Sequence, residues 1–237
     1  MPRTIYIVRH AERLDLVDAT WIPAAARPWD PPVSEHGLRQ ARHTGSRLAR
    51  YPVARVFTSP FLRCMQTAAE IVAGMAGDES LASQVLVNVE HGLAEFMCKA
   101  WFEAKPEMLS LEDMVAQVPT MNLEYQSQMS FFYPETIEMM SRRYQRCIRN
   151  IVALLGPDEH CVIVTHGYGV QFIVEDLDPS AVVMETPYSC ISVVTEKPNA
   201  PGKFTARLVA DASHLEKVNS SRHAPSTHEV ASKPVLA

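Results

Sequence analysis

The sequence has no run approaching the roughly 20 apolar residues that a membrane-spanning helix requires. It has no basic excess either: 22 Lys and Arg stand against 27 Asp and Glu, a formal net charge of −5. That balance argues against a nucleic-acid binder, although it says nothing about a local cationic cleft. The five cysteines (Cys64, Cys98, Cys147, Cys161 and Cys190) are odd in number, widely spread and free of C-x-x-C spacing, so neither a disulfide framework nor a zinc site is expected. Reduced thiols and the lack of a leader pattern after Met1-Pro2-Arg3 predict a soluble cytoplasmic protein. There is no internal repeat and no convincing linker. One domain over residues 1–217 is expected, with 218–237, rich in Ser, Pro and charge, as a mobile tail.

Short apolar runs alternate with helical patterns. Thr4-Ile5-Tyr6-Ile7-Val8 shows no polar alternation and suits a strand covered on both faces. Residues 14–33 have no period and are read as loop. Ser34 then predicts a helix N-cap. Val53–Thr58 is a second strand, and Ser59-Pro60 predicts a helix start, with the hydroxyl capping and proline in the first helical position. Val85–Val89 is a third strand, leading to Glu95. A helix from Ile137 and a fourth strand, Cys161–Thr165, follow, and Ser189–Thr195 with Phe204–Val209 read as a late pair of strands. Residues 96–134 hold five methionines and several aromatics without a sustained period. They read as a helical and loop insertion over one end of the sheet. The class is α/β, three-layered, with a mostly parallel central sheet flanked by helices.

In such sheets ligands bind at the carboxyl ends of the strands. The first strand ends in Arg9-His10 with Arg13 close by, the third leads to Glu95, and the fourth ends at His166. Arg63 lies in or near the first turn of the helix after the second strand. Two histidines, three arginines and a carboxylate at such positions make a phosphate site with a nucleophile.

Arg9-His10-Ala11-Glu12-Arg13 resembles the R-H-G signature of the histidine phosphatase, or phosphoglycerate mutase-like, superfamily. The rest of the pattern follows in order: Ser34-Glu35-His36-Gly37 with Gln40-Ala41, Thr58-Ser59-Pro60 with Arg63 and Gln66-Thr67-Ala68, and Thr165-His166-Gly167. Within it the chain is similar to the phosphatase domain of TULA/Sts proteins and to ecdysteroid-phosphate phosphatases, through R-H-x-E-R, Ser59-Pro60-x-Leu62-Arg63-Cys64-x-Gln66-Thr67-Ala68 and Glu90-x-Gly92-Leu93-x-Glu95.

The resemblance implies a phosphoglycerate mutase-like fold and a metal-independent phosphomonoester hydrolase with no cofactor. His10 would form a phosphohistidine. Arg9, Arg63 and His166 would bind the phosphoryl oxygens, with Arg13 a fourth contact and His166 protonated beside the dianion. Glu95 would protonate the leaving oxygen and then activate water. Glu90, Glu12 and Glu103 compete for that last role. Trp101, Phe102, Phe131 and Phe132 predict apolar walls that suit an aryl or bulky phosphate, either a small molecule or a phosphotyrosine protein. The resemblance also suggests a homodimer, although no interface shows in the pattern. A mutase or a non-catalytic phosphate-binding scaffold is the alternative. One departure stands out: Ala11 replaces the usual glycine, which is harmless where the backbone φ is negative.

Overall fold

The computed structural model describes residues 2–77 and 85–220. Six strands form one sheet: β1 (Thr4–Arg9), β2 (Val53–Thr58), β3 (Val87–Val89), β4 (His160–Thr165), β5 (Ile191–Lys197) and β6 (Ala200–Asp211), in the order β3-β2-β4-β1-β5-β6. The first four strands in that order run parallel, and β5 and β6 add an antiparallel edge. The mostly parallel sheet expected from the sequence is therefore present.

The unalternating strands are covered on both faces. Ile5 and Ile7 of β1 and Cys161 and Ile163 of β4 point into one core, shared with Met140, Tyr144, Cys147, Ile148 and Ile151 of a helix at Ile137–Leu154. Tyr6, Val8, Val162 and Val164 point the other way, towards Leu48, Met65, Ala68 and Ile71. Neighbouring strand residues face opposite sides, so a wholly apolar run needs helices on both.

After a one-turn helix α1 (Trp21–Ala24), α2 (Glu35–Leu48) starts where Ser34 accepts the Gly37 N–H. It crosses α3 (Leu62–Ala76) at backbone contact. A β-carbon on Gly45 would lie 2.2 Å from the Ile71 carbonyl oxygen, and one on Gly74 2.1 Å from that of Arg42. Only glycine permits that approach. The chain continues through α4 (Leu111–Gln117), α5 (Ile137–Leu154), α6 (Gly167–Leu177) and α7 (Glu216–Ser220).

Three expectations change in detail. The helix after β2 begins at Leu62, not at Ser59-Pro60. The Ser59 hydroxyl lies 2.8 Å from His166 Nε2, and the helix's first N–H, that of Leu62, is taken instead by Asp30 Oδ1 at 2.8 Å. The Ser59 hydroxyl keeps only a long local bond, from the Phe61 N–H at 3.4 Å, and a tertiary partner caps the helix itself. Second, residues 218–220 are not tail: they end α7, and Asn219 Oδ1 accepts from Gln40 Nε2 and lies 3.1 Å from His36 Nε2. The rest of the expected tail, 221–237, lies outside the described residues. Third, β3 is only three residues long, and Val87 pairs on its outer side with the insertion, receiving the Asn122 N–H and donating to the Thr120 carbonyl.

Candidate active site

The site gathers at the carboxyl ends of β1 to β4. His10 N–H donates to the Thr165 carbonyl, Ser59 N–H to that of Val164 and Glu90 N–H to that of Thr58, so ladder-like bonds continue just past the strands. They bring residues from four distant segments onto one rim. His10, Arg63, Glu95 and His166 are all buried.

The His10 ring stands edge-on to His166, with centroids 5.4 Å apart. Its Nδ1 lies 2.9 Å from the Ala11 carbonyl oxygen, which fixes Nδ1 as the protonated nitrogen and leaves a lone pair on Nε2. Burial, then the charges of Arg63 and Arg9, push its pKa well below the ordinary histidine value. The imidazole is therefore neutral, the form a nucleophile requires.

His166 lies between Ser59 Oγ at 2.8 Å on Nε2, and Arg63 Nη2 at 3.3 Å and Glu95 Oε2 at 3.3 Å on Nδ1. Burial lowers its pKa to about 4; Glu95 opposes that and Arg63 adds to it. The sequence leads one to expect a protonated ring beside a phosphate dianion; with no dianion bound, desolvation outweighs the single carboxylate and favours the neutral ring. A bound dianion would work in the opposite direction.

Arg63 also reaches Glu95 Oε2 at 3.6 Å and Asp30 Oδ1 at 3.8 Å. Arg9 lies over the ring of Tyr188, with its Cζ 4.2 Å from the centroid, and donates to the Thr186 carbonyl. Arg9 Nε and Arg63 Nε and Nη1 are buried donors with no hydrogen-bond acceptor among the described residues. Buried donors normally find partners, so three such groups around a neutral histidine suit an oxyanion. Arg13 is less committed to the centre. It grips Asp15 with Nε at 2.9 Å and Nη2 at 2.5 Å, while feeling the charges of Tyr188 and Glu95.

Glu95 is the carboxylate the structure brings to the histidines. Glu90 is used elsewhere, accepting from Tyr125 Oη, Ser127 Oγ, Gln128 N and Gly92 N at 2.6–2.9 Å. Glu12 accepts from Ser34 Oγ, and Glu103 is exposed. Ala11 has no positive φ: among the described non-glycine residues only Ser189 and Ala210 do. Its methyl packs against Val33 and Ala41 in a small apolar cluster.

The aromatics of residues 96–134 occupy different places. Phe102 and Phe131 are buried among Phe61, Ala94 and Met97, Trp101 stacks on Tyr168, and Phe132 is 67% exposed. The aromatics of the insertion serve mostly as packing. The aromatic that flanks His10 is Tyr188, with ring centroids 5.6 Å apart, and no pattern in the sequence marks it. Asp30 also carries no sequence signal, since it lies in an aperiodic loop.

Donor atoms of His10, Glu95 and His166 lie within 4.8 Å of one another, a spacing that a cation's ligands could have. Arg63, however, approaches two of the three donors, so a cation there would meet like charge.

Comparison with known proteins bears on the family and the fold. The ecdysteroid-phosphate phosphatase of Drosophila melanogaster is 28% identical over 153 residues, covering 52% of this chain and 20% of that protein. The human ubiquitin-associated and SH3 domain-containing protein A is 25% identical over 202 residues, 70% and 29% of the respective chains. The chain thus spans less than a third of the length of these relatives. The crystal structure of the Bombyx mori ecdysone phosphate phosphatase with tungstate superposes with a TM-score of 0.72 at 18% identity, covering 98% of this chain and 97% of that one. A phosphoglycerate mutase from Bacillus anthracis gives 0.61 at 17%, covering 91% and 96%. These show a shared fold. The model of the histidine phosphatase superfamily, branch 1, matches residues 5–200, from the first strand to the start of β6. On that match the chain belongs to the histidine phosphatase superfamily.

Proposed function

We propose that the protein is a phosphomonoester hydrolase that works through a phosphohistidine on His10 without a metal ion. The observation that carries this is the pairing of a neutral, tautomer-fixed His10 with buried guanidinium donors that have no acceptor among the described residues.

In the first step the Nε2 lone pair attacks phosphorus and the ester P–O bond breaks. Arg9, Arg63 and His166 hold the equatorial oxygens, and Arg13 stands at the rim. Phosphoryl transfer needs chiefly positioning and charge stabilisation, which forked guanidinium groups supply. Glu95, entering protonated, gives its proton to the leaving oxygen. As carboxylate it then takes a proton from the water that attacks the phosphohistidine, releasing phosphate and restoring neutral His10. Once a dianion is bound, its charge favours the protonated form of His166.

For the substrate we favour an aryl or similarly bulky phosphate, whether small or part of a protein. The support is the Tyr188 ring beside the nucleophile, together with relatives that include ecdysteroid-phosphate phosphatases.

The test is hydrolysis of p-nitrophenyl phosphate in EDTA by wild type and His10→Ala. Wild-type turnover, near-total loss in the folded variant, and an acid-labile phosphoprotein trapped only in wild type are expected. A folded wild type that is inactive from mildly acidic to neutral pH, or is revived only by added zinc, would overturn the proposal.

A further inference from the structure

The loop that carries Glu95 is held in an unusual way. Four successive carbonyls, those of Gly92, Leu93, Ala94 and Glu95, all accept hydrogen bonds from buried side chains of other elements. Arg143 Nη1 donates to Gly92 O at 2.8 Å and to Ala94 O at 2.9 Å, and its Nη2 donates to Glu95 O at 3.0 Å. Tyr144 Oη donates to Ala94 O at 2.6 Å, and Thr165 Oγ1 to Leu93 O at 2.9 Å. Gly92 lies so close to α5 that a β-carbon there would be 2.8 Å from Cys147 Sγ.

Arg143 is itself fixed. Its Nε and Nη2 bond the two carboxylate oxygens of Glu135 at 2.6 and 2.8 Å, and Glu135 Oε2 also accepts the Met97 N–H at 3.3 Å. Both side chains are almost wholly buried. A buried ion pair adds little net stability over an apolar pair of equal volume. Here its geometry is spent on the backbone of a single loop, and the last of the four held residues is the carboxylate facing His166.

We infer that Arg143, supported by Glu135 and Tyr144, is a positioning residue that aims Glu95 at the leaving-group oxygen. This rests on the reading of Glu95 as general acid and base. Lysine in place of Arg143 would keep the charge beside Glu135 but could not fork to three carbonyls. Glu95 would then wander, and the steps that need its proton would suffer most. General acid catalysis contributes about 100- to 10,000-fold where the leaving group is poor.

The experiment measures kcat/KM on p-nitrophenyl phosphate, whose leaving group needs little protonation, and on phenyl phosphate, whose leaving group needs it. The variants are Arg143→Lys, Tyr144→Phe and Glu95→Gln, with the double change Arg143→Met/Glu135→Gln as a charge-free control that leaves no buried ion unpaired. Arg143→Lys is expected to lose roughly tenfold or more on phenyl phosphate beyond its loss on p-nitrophenyl phosphate, with the alkaline limb of its pH profile displaced, and Tyr144→Phe roughly threefold in the same sense. The double variant should show the same selectivity as Arg143→Lys. Equal losses on both substrates in folded variants, or none, would overturn the inference and leave a purely structural role. If Glu95→Gln itself shows no selectivity, the reading of Glu95 fails, and this inference with it. If Glu95→Gln is selective and Arg143→Lys is not, only the present inference fails.

Discussion

Asp30 makes two contacts that a single substitution can separate. It accepts the first N–H of α3, that of Leu62, and its charge is shared between Arg27 at 2.9 Å and Arg63 at 3.8 Å. Asp30→Asn keeps an oxygen for the N–H and deletes the charge. The bare attraction to Arg63 at that distance is about 4 kcal/mol at an effective dielectric constant of 20. Desolvation offsets part of it, and Glu95 remains 3.6 Å from the same guanidinium, so a net loss of about 2 kcal/mol is expected. Asp30→Ala should lose about 1 kcal/mol more, the usual value of a helix N-terminal cap. Binding should move the other way. With one negative charge fewer beside Arg63, phosphate or tungstate should bind roughly three- to tenfold more tightly, about 1 kcal/mol. Urea denaturation of the three proteins measures the first effect, and competitive inhibition of aryl phosphate turnover the second. If Asp30→Asn weakened anion binding along with stability, the charge-balance argument would be refuted, and Asp30 would be holding Arg63 in place.

Other expectations follow from the same geometry. The folded pKa values of His10, His166 and His214 lie below the free value, at about 4 for the last two. The unfolded chain therefore binds more protons below about pH 6.5, so this stability is complete above pH 6.5 and lost as pH falls towards 4, on the order of 3 kcal/mol for the fully buried His166 and less for the partly exposed His214, where solvent screens the charge. Denaturant midpoints at pH 7.5 and 5 would show it, and equal midpoints would count against the burial argument. Gly45→Ala should cost roughly 3 kcal/mol despite alanine's better helix propensity, since its methyl meets the Ile71 carbonyl, and thermal melting would measure it. Ala11→Gly should cost about 1 kcal/mol from the lost contact with Val33 and Ala41, with less than threefold change in turnover of p-nitrophenyl phosphate.

How far each feature could be read in the sequence depended on whether its partners lie nearby in the chain. His10 stands between Arg9 and Arg13 at the end of an apolar run, and His166 directly follows another, so strand and reactive residue are read together. The covered sheet was legible for the same reason: Ile5, Ile7, Ile163 and their neighbours leave no polar face. Asp30 and Tyr188 act across the fold from aperiodic segments, and no local pattern marks them. Ser59 looked like a cap because caps are local, yet a histidine 107 residues away claims its hydroxyl. Arg143 did leave a trace, a charged residue on the stripe of Met140, Tyr144 and Cys147 that α5 buries. A charge on an apolar stripe signals a fixed partner, but not which one. The aromatics of 96–134 were ambiguous because a large side chain near a site packs in the same way whether it lines a wall or fills a core.

The short β3 has a consequence for handling the protein as a scaffold. A sheet edge with open backbone groups invites pairing with other chains. Here the stretch Thr120–Asn122 occupies that edge at Val87, so the insertion acts as a plug as well as a neighbour of the catalytic rim. Anyone grafting a different loop across 96–134 to change specificity would also unseal the sheet. Colloidal behaviour, more than catalysis, would then be the first property to deteriorate. A graft that keeps residues 120–122 in register with Val87 leaves the rest of the segment open to redesign.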